Sequence, residues 1–203
     1  MCGRYFLSKD FRELVRQLFR QMGAGFDAAG LDAFGSAERD VFPSQESLIL
    51  CRGDAGDGLG AYPMKWGFSS PAGSGLLINA RAETARQKQT FADSVAGRRL
   101  LVPASGFYEW DGAKTKYRFL AEDGGLILLA GIWRREADGD RYTILTTEAN
   151  ESMRPVHDRM PVMIGAEEAS AWILDDKATD GFLRRPQRQL VRQADEGQIS
   201  MEF

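Results

Sequence analysis

The sequence predicts one α+β domain, built on a largely antiparallel β-sheet or barrel with flanking helices. Short apolar runs bounded by turn residues recur along most of the chain, which is typical of antiparallel strands. One early stretch instead places apolar residues at helical spacing. The chain has 203 residues, which suits a single domain over 1–203 with its own hydrophobic core.

The predicted elements follow from these patterns in chain order. An amphipathic helix covers roughly 9–22, and a glycine-rich stretch ends it. The predicted strands are 47–51, 76–79, 99–104, 116–121, 126–133, 141–147 and 160–164. Helices are expected over about 82–96 and 167–174, and hairpin turns at 111–114, 122–125 and 136–141. The tail from about 184 is polar, so we expect it to be loosely held.

Composition excludes several classes of protein. The net charge of −3 argues against a surface coated in positive charge, so any nucleic-acid contact must come from a local groove. Two cysteines and one histidine without zinc-site spacing predict no metal and no other cofactor. The longest apolar run, 126–133, is too short to span a bilayer, and no secretory leader precedes it. We therefore expect a cytoplasmic protein with reduced thiols, in which Cys51 is a buried strand residue.

Cysteine occupies position 2, directly after the initiator methionine. Aminopeptidases remove Met1 when the second residue is small, so the mature chain would begin with an α-amine beside a thiol. The reference pKa values of these groups, about 7.7–8.0 and about 8.5, leave both partly deprotonated near neutral pH. Such an aminothiol traps an aldehyde, because the amine forms a Schiff base that the thiol closes to a thiazolidine. On position alone, an incidental cysteine explains the residue equally well.

Two polar candidates come directly after a predicted strand. Asn79 and Arg81 lie in INARAET (78–84), where a strand end leads into a loop or helix, a common place for binding groups. Arg81 could hold a phosphate through two hydrogen bonds, and Asn79 could orient a carbonyl or hydroxyl group. The alternative is a helix start, in which Glu83 complements the helix dipole and Arg81 is a surface charge.

Glu109 and His157 are the candidates for proton transfer. Glu109 lies between a tyrosine and a tryptophan in PASGFYEW (103–110), where aromatic neighbours desolvate a carboxyl group, as suits a general acid or base. The alternative is a glutamate on the solvent side of an aromatic strand. His157 lies in RPVHDRMPVMI (154–164), and an imidazole exchanges protons readily near neutral pH. A lone histidine in a loop is alternatively structural.

These stretches belong to a longer set of motifs that occur in a fixed order. They are MCGRY (1–5), PSQ (43–45), WG (66–67), INARAET (78–84), PASGFYEW (103–110) and HDRMPV (157–162). In this combination, over about 1–175, the chain resembles the SOS response-associated peptidase (SRAP) family, the abasic-site processing proteins. The resemblance implies a single α+β domain with a curved, mostly antiparallel sheet as a barrel-like core.

The resemblance also implies a reaction. In the family, the cysteine freed by removal of Met1, in some accounts autocatalytically, crosslinks to abasic sites in single-stranded DNA through a thiazolidine. Carried over to this chain, the catalytic residues are Cys2, Asn79, Glu109 and His157. His157 would help to open the deoxyribose ring and Glu109 would shuttle protons. Asn79 would hold the amine or the sugar oxygen.

The same resemblance implies a DNA-binding surface. Its residues are Arg4, Pro43, Trp66, Phe68, Arg81 and Thr146. The arginines would contact phosphates, the threonine would contact the DNA backbone, and the proline and aromatic rings would form an apolar wall against neighbouring bases. We expect a monomer whose partner is single-stranded DNA containing an abasic site, with no membrane and no metal. Bound to DNA, it would be associated with the nucleoid.

Two other functions remain open from the residues. An N-terminal-nucleophile amidase or thiol peptidase acting in trans would use Cys2, His157 and Asn79, the residue types of a cysteine hydrolase. Such an enzyme needs only the thiol, whereas imine chemistry needs the α-amine as well. A single-stranded DNA binder without chemistry is the other alternative, and it does not require the complete set of catalytic candidates.

Overall fold

The computed structural model describes residues 2–22, 26–27, 31, 38–53 and 58–194, with only the backbone of 22, 26 and 27. Within them the helices are α1 (Phe11–Met22), α2 (Ala82–Ala85), α3 (Gln89–Gly97), α4 (Ala169–Leu174) and α5 (Thr179–Arg184), with a 3₁₀ turn at Ala166–Glu168. The first eight strands are β1 (Tyr5–Leu7), β2 (Phe26–Asp27), β3 (Arg39–Val41), β4 (Glu46–Arg52), β5 (Leu59–Trp66), β6 (Phe68–Ser69), β7 (Leu76–Leu77) and β8 (Asn79–Arg81). The rest are β9 (Arg99–Ala104), β10 (Gly106–Trp110), β11 (Lys116–Leu120), β12 (Ile127–Glu136), β13 (Gly139–Glu148), β14 (Arg159–Pro161), β15 (Met163–Ile164) and β16 (Val191–Ala194).

The larger sheet curves into a partial barrel. Its central strands run in the order β13–β12–β9–β4–β5, and β5 also pairs with β13. That closing contact is parallel, with Tyr142 opposite Trp66, whereas the other neighbours along this path are antiparallel. Strand β9, RLLVPA, is buried along its whole length, because it is covered on both faces and therefore reads as a continuous apolar run. The predicted α+β class with a curved, barrel-like core is confirmed.

The smaller sheet has the order β16–β11–β10–β1–β3, and all of its pairings are antiparallel. One face packs on the core, where the rings of Phe107 and Phe119 stack 5.2 Å apart. Because side chains alternate along a strand, the neighbouring residues Phe6, Tyr108 and Arg118 point to the opposite face. We call that opposite side the outer face; with Arg4, Phe42, Trp110 and Lys116 it forms the sheet's side away from the core.

Four predicted elements differ from the structure. Two are strands that divide, 76–79 into β7 and β8 and 160–164 into β14 and β15. The helix expected over about 82–96 is divided into α2 and α3, since Lys88 before α3 has extended backbone angles (φ −84°, ψ 120°). The expected hairpin at 122–125 does not form, because β11 pairs with β10 and β16 while β12 belongs to the other sheet. This turn therefore carries the chain from one sheet to the other. Long-range strand pairing decided the turn at 122–125, whereas the extended backbone of Lys88 divides the helix.

The tail is also held more firmly than its polar sequence predicts. Residues Val191–Ala194 form β16 and pair with β11 along Tyr117–Leu120. Gln187 and Leu190, just before this strand, are buried. Residues 195–203 lie outside the described part of the chain. The described part of the tail therefore makes strand and side-chain contacts with the rest of the domain.

Arg99 is a buried cation that joins two helix ends to the barrel. It extends from β9 and donates hydrogen bonds to the carbonyl groups of Val95, Ala96, Trp172 and Ile173. These carbonyls lie at the C-terminal ends of α3 and α4, where helix carbonyl groups lack partners. Its guanidinium also contacts the Asp176 carboxylate at 2.6 Å. Among the described residues, no helix is both long and apolar enough to cross a membrane.

Candidate functional site

Cys2 lies beside the end of β10, inside the core. Residues 2–4 continue the line of β1, since the Tyr108 amide donates a hydrogen bond to the Arg4 carbonyl at 3.0 Å. The Cys2 side chain is 2% exposed, and its sulfur lies 4.0 Å from the same Arg4 carbonyl oxygen. The pairing of these strands therefore brings the start of the chain to the glutamate of the PASGFYEW motif.

Two motif glycines make this close packing possible. A Cβ on Gly106 would come 2.6 Å from the Phe119 carbonyl oxygen and 2.7 Å from the Phe6 ring. Gly67 has a φ of +106°, and a Cβ there would lie 2.9 Å from the Cβ of Leu76. Only glycine combines that backbone angle with so little space. The glycines of the WG and PASGFYEW motifs are therefore explained by backbone geometry.

Asn79 fixes the main chain of Cys2. It begins β8, which pairs in parallel with β13 opposite Ile144. Its Nδ2 donates a hydrogen bond to the Cys2 carbonyl at 2.9 Å. Its Oδ1 is buried and accepts no hydrogen bond from the described residues. A buried acceptor thus lies on the same amide group that holds the Cys2 carbonyl, where an amine or a hydroxyl group could donate.

Glu109 and Cys2 interact electrostatically in a buried environment. Glu109 is 4% exposed. Burial raises the pKa of the Cys2 thiol far above its ordinary value, and the Glu109 carboxylate raises it further. The thiol is therefore protonated at neutral pH in this environment. A proton acceptor is needed before the sulfur can act as a nucleophile, and Glu109 is a carboxylate close enough to influence it.

A pair of buried tyrosines lies near Cys2. The hydroxyl oxygens of Tyr5 and Tyr142 are 2.7 Å apart, and both side chains are buried. Burial raises the pKa of both phenols, and the Cys2 side chain contributes to that rise. The rings also flank Trp66, at 5.3 Å and 6.3 Å between centroids. Sequence reasoning missed this pair, because Tyr142 lies on a strand far along the chain and no local motif marks it.

His157 lies in the turn between β13 and β14, with its side chain 24% exposed. Its Nδ1 accepts a hydrogen bond from the Arg159 amide at 3.0 Å. The same atom lies 2.9 Å from an Asp158 carboxylate oxygen, a contact that requires a proton on Nδ1. The neutral ring suits the amide and the protonated ring suits the carboxylate. Both contacts involve Nδ1, so together they orient the imidazole within the turn.

A salt bridge joins the INARAET motif (78–84) to the HDRMPV motif (157–162). Arg159 contacts both carboxylate oxygens of Glu83, at 2.9 Å and 2.8 Å, and donates a hydrogen bond to the Thr146 carbonyl at 2.6 Å. Burial tends to raise the pKa of Glu83, but its contacts with Arg159 and Thr147 hold it below the ordinary value. This two-oxygen contact fixes β14 beside α2 and β13. Glu83 therefore lies in the first turn of α2, as the helix-start alternative expects, and also pairs with Arg159 from a distant part of the chain.

The predicted DNA-binding residues divide into exposed and buried groups. Arg81 is exposed at the end of β8, opposite Thr146 of β13, whose side chain is buried. Arg4 and Pro43 are half-buried. Trp66 and Phe68 are each 0% exposed, so neither ring presents a face to a base in this structure. The Trp66 indole instead donates a hydrogen bond to the Ile78 carbonyl at 2.9 Å, next to Asn79.

The PSQ motif forms a turn that packs against the same tryptophan. The Ser44 amide donates to the Trp66 carbonyl at 2.8 Å, and the Trp66 amide donates to the Gln45 carbonyl at 3.0 Å. Ser44 has a φ of 73°, in the left-handed region, and the Gln45 side chain accepts a hydrogen bond from the Phe42 amide. The motif therefore positions Phe42 and Pro43. Trp66 is better described as a support for β8 than as a wall against bases.

Cys51 provides an internal contrast to Cys2. It lies on β4, is 2% exposed, and pairs with Gly60 and Leu100 in the barrel, so the prediction of a buried strand cysteine is confirmed. Both cysteines are free thiols. Within the described ranges, no group of three or more His, Cys, Asp or Glu side chains is arranged to hold a metal ion.

Comparison with known proteins gives consistent matches along the chain. The profile of the SOS response associated peptidase (SRAP) family matches residues 1–201, beyond the limit of about 175 expected from the motifs. The abasic site processing protein YoaM of Bacillus subtilis is 30% identical over 200 residues, which cover 91% of this chain and 84% of the relative. YoqW, an abasic site processing protein of the same organism, is 32% identical over 194 residues, covering 89% and 83%.

Solved structures match over nearly the whole chain. A protein of Bordetella bronchiseptica has a TM-score of 0.74 at 28% identity, covering 95% of this chain and 99% of its own. A protein of Bacteroides thetaiotaomicron has a TM-score of 0.75 at 20% identity and covers 95% and 91%. The second likeness concerns the fold alone.

Proposed function

Because the chain belongs to the SOS response associated peptidase family, we propose that it processes abasic sites in single-stranded DNA by forming a covalent crosslink through Cys2. The curated relatives YoaM and YoqW are named abasic site processing proteins, and the chain covers most of their length. The proposal requires removal of Met1, since only then does residue 2 carry a free α-amine.

The reaction proceeds in two bond-forming steps. The Cys2 amine adds to the aldehyde carbon of the ring-opened abasic sugar, and the resulting carbinolamine loses water to give an imine. The Cys2 sulfur then adds to the imine carbon while a proton moves from sulfur to nitrogen. The product is a thiazolidine, and the net change is the loss of one water molecule. Neither an oxidant nor a metal takes part.

The observation that carries the proposal is the hydrogen bond between Asn79 Nδ2 and the Cys2 carbonyl at 2.9 Å. It fixes the main chain of residue 2 beside Glu109 and leaves the buried Oδ1 of Asn79 as an acceptor. That oxygen suits the N–H of the freed amine or a sugar hydroxyl. A pre-oriented amine and thiol favour ring closure, because the reacting atoms need no further ordering.

Glu109 and His157 supply the proton transfers. Glu109 takes the proton of the Cys2 thiol as the sulfur attacks, which the raised pKa of that thiol makes necessary. His157, whose imidazole is oriented by Arg159 and Asp158, opens the sugar ring by moving a proton at the ring oxygen. Arg4 and the exposed Arg81 contact phosphates on either side of the lesion.

A thiol hydrolase is the less favoured alternative. Cysteine hydrolases work with an activated thiolate at neutral pH, whereas burial keeps the Cys2 thiol protonated here. Ring closure onto a tethered imine is less demanding, because the electrophile forms next to the sulfur. Acetylation of the α-amine separates the two functions, since it blocks imine formation and leaves the thiol intact.

The test is a crosslinking assay with an abasic oligonucleotide, read on a denaturing gel and by intact mass. We expect a shifted band with the natural chain and with Cys51→Ala, and none with Cys2→Ala. The mass should correspond to the chain without Met1, plus the oligonucleotide, minus one water. Absence of a covalent product with the Met1-processed natural chain would refute the proposal.

A further inference from the structure

The outer face of the smaller sheet carries cations that lie over aromatic rings. The Arg4 guanidinium lies 4.5 Å from the centre of the Phe42 ring and 5.3 Å from that of Trp110. The Lys116 ammonium lies 3.9 Å from the centre of the Tyr108 ring. Cations held in this way lose less side-chain freedom when an anion binds, since the rings already restrict them.

Strand register makes these cations a continuous row. Tyr108 on β10 is opposite Arg118 on β11, and Trp110 is opposite Lys116. The Arg118 guanidinium lies 5.8 Å from the centre of the same Tyr108 ring. From Arg4 to β11 the row crosses two strand spacings, or roughly 10 Å. Lys116 and Arg118 are both partly exposed.

The row begins at the candidate site. Arg4 is two positions after Cys2, and Trp110 directly follows Glu109. Because side chains alternate along β10, the buried Glu109 and the outer Trp110 point to opposite faces of the sheet. Cys2 and Arg4 both come just before β1. Asp40 is an acidic residue on this face and lies 3.5 Å from Arg4. Lys116 and Arg118 add positive charge on β11, although the whole chain has a net charge of −3.

We propose that the DNA strand leaving the Cys2 site continues across the outer face, where Lys116 and Arg118 of β11 contact its phosphates. This inference rests on the proposed function for the position of the lesion. The row of cations matches the positively charged path along the DNA backbone that non-specific single-strand binding requires. The buried Tyr108 ring restricts the cations of β11 rather than stacking on bases. No base is read by these contacts, so the affinity depends on strand length and salt rather than on sequence.

The test compares the Lys116→Ala/Arg118→Ala double variant with Arg192→Ala. Arg192 is a matched control because it lies on β16 of the same sheet and its guanidinium is also close to an aromatic ring, 5.6 Å from that of Tyr117. It is opposite Phe119, so it does not belong to the outer face. Fluorescence anisotropy measures binding of an intact single strand of about 15 nucleotides over a series of salt concentrations. The double variant should bind about tenfold more weakly at low salt, and its salt slope should fall by about 1.4. The control should bind like the natural chain.

Crosslinking of a short abasic strand, about 4 nucleotides long, separates this inference from the proposed function. We expect the double variant to crosslink it as the natural chain does, because the strand does not reach β11. If the double variant is folded and binds the long strand with unchanged affinity and salt slope, the inference is overturned. This holds whether or not the natural chain forms a crosslink. Equal losses on short and long strands overturn it too.

Two further outcomes are decisive. A reduced salt slope without any crosslinking by the natural chain would sink the proposed function and leave the strand path standing. If thermal melting shows that the double variant is destabilised, Lys116→Gln replaces it, with an expected fall in salt slope of about 0.7. An unchanged slope in that single variant would overturn the inference.

Discussion

The two faces of strands β1 and β10 have opposite chemistry. The buried side carries Cys2 and Glu109, which are 2% and 4% exposed. The outer side carries Arg4 and Trp110, whose charged and aromatic groups contact each other at the surface. Because neighbours in a strand point to opposite faces, Glu109 and Trp110 of β10 lie on the two sides. Cys2 precedes β1 and is buried although it is only two positions from Arg4. Adjacency in sequence therefore separates these groups in space, and the following changes test each face in turn.

The largest expected effect is on the buried face. Glu109→Gln keeps the shape of the side chain but removes the proton acceptor beside Cys2, so the crosslinking rate should fall by about 100-fold to 10,000-fold. Affinity for an intact strand should not change. Single-turnover crosslinking and anisotropy measure the two quantities. Glu46→Gln, at the exposed first residue of β4, is the control. A rate close to that of the natural chain would remove Glu109 from the mechanism.

Tyr5→Phe tests the support beneath the same face. It leaves the buried Tyr142 hydroxyl without its partner at 2.7 Å, which should lower the free energy of unfolding by about 1–3 kcal/mol. Urea denaturation measures the loss. Tyr62→Phe, which changes a half-buried tyrosine on β5 in the same way, is the comparison. An equal loss in both variants would mean that the Tyr5–Tyr142 pair has no special weight.

The same tyrosines predict a pH dependence. Folding raises the pKa of Cys2, Tyr5 and Tyr142, so their contribution to stability is complete below the unfolded values of about 8.5 for the thiol and about 10 for the phenols. It is lost as the pH rises above those values. Stability measured from pH 8 upward should fall, and the fall should be smaller in Tyr5→Phe. A flat profile in the natural chain would contradict the prediction.

Asn79→Ala should have a smaller effect on the reaction. It removes one hydrogen bond to the Cys2 carbonyl, and a loss of about 1.4 kcal/mol corresponds to about tenfold in rate. Asn79→Asp sharpens the result, because it keeps an acceptor oxygen but cannot donate to that carbonyl. Crosslinking rates of the two variants distinguish the donor role from the acceptor role. If both variants react at the natural rate, Asn79 does not position Cys2.

The smallest expected effect is on the outer face. Phe42→Ala removes the ring over which Arg4 lies at 4.5 Å, so binding of an intact strand should weaken by about threefold. The crosslinking rate at saturating DNA should be unchanged. Val191→Ala is a close control, since Phe42 and Val191 are both 38% exposed on the smaller sheet. Equal weakening in both variants would point to general loss of apolar surface.

Local sequence patterns predicted the helices and strands whose burial follows one regular pattern along the element. Strand β9 matches its predicted range, 99–104, because it is covered on both faces and every residue after Arg99 is apolar. Helix α1 begins two positions later than predicted, at Phe11, and ends at Met22 as expected. The motif order indicated the family, and the set containing Cys2 and Asn79 is joined by a direct hydrogen bond.

For single polar or aromatic residues, the sequence predicted poorly whether the side chain is buried or exposed. The Arg99 guanidinium is buried because two helix ends offer it carbonyl groups, an arrangement that no neighbouring residue signals. Trp66 is buried because β5 closes on β13, whereas a DNA-facing wall would need it exposed. The sequence shows that Tyr108 and Trp110 are two positions apart, as are Lys116 and Arg118. It indicates the outer row only when β10 and β11 are known to pair.

Composition, the short apolar runs and the ordered motifs were enough to assign an α+β chain of this family and to single out Cys2 as a candidate, since each depends on residues close together. Which face each residue occupies depended on pairing between distant strands. The Tyr5–Tyr142 contact spans a sequence separation of 137, and β13 receives both β5 and β8 on one edge. Such contacts form only when the whole sheet closes, because burial and charge are properties of the assembled surface rather than of any segment.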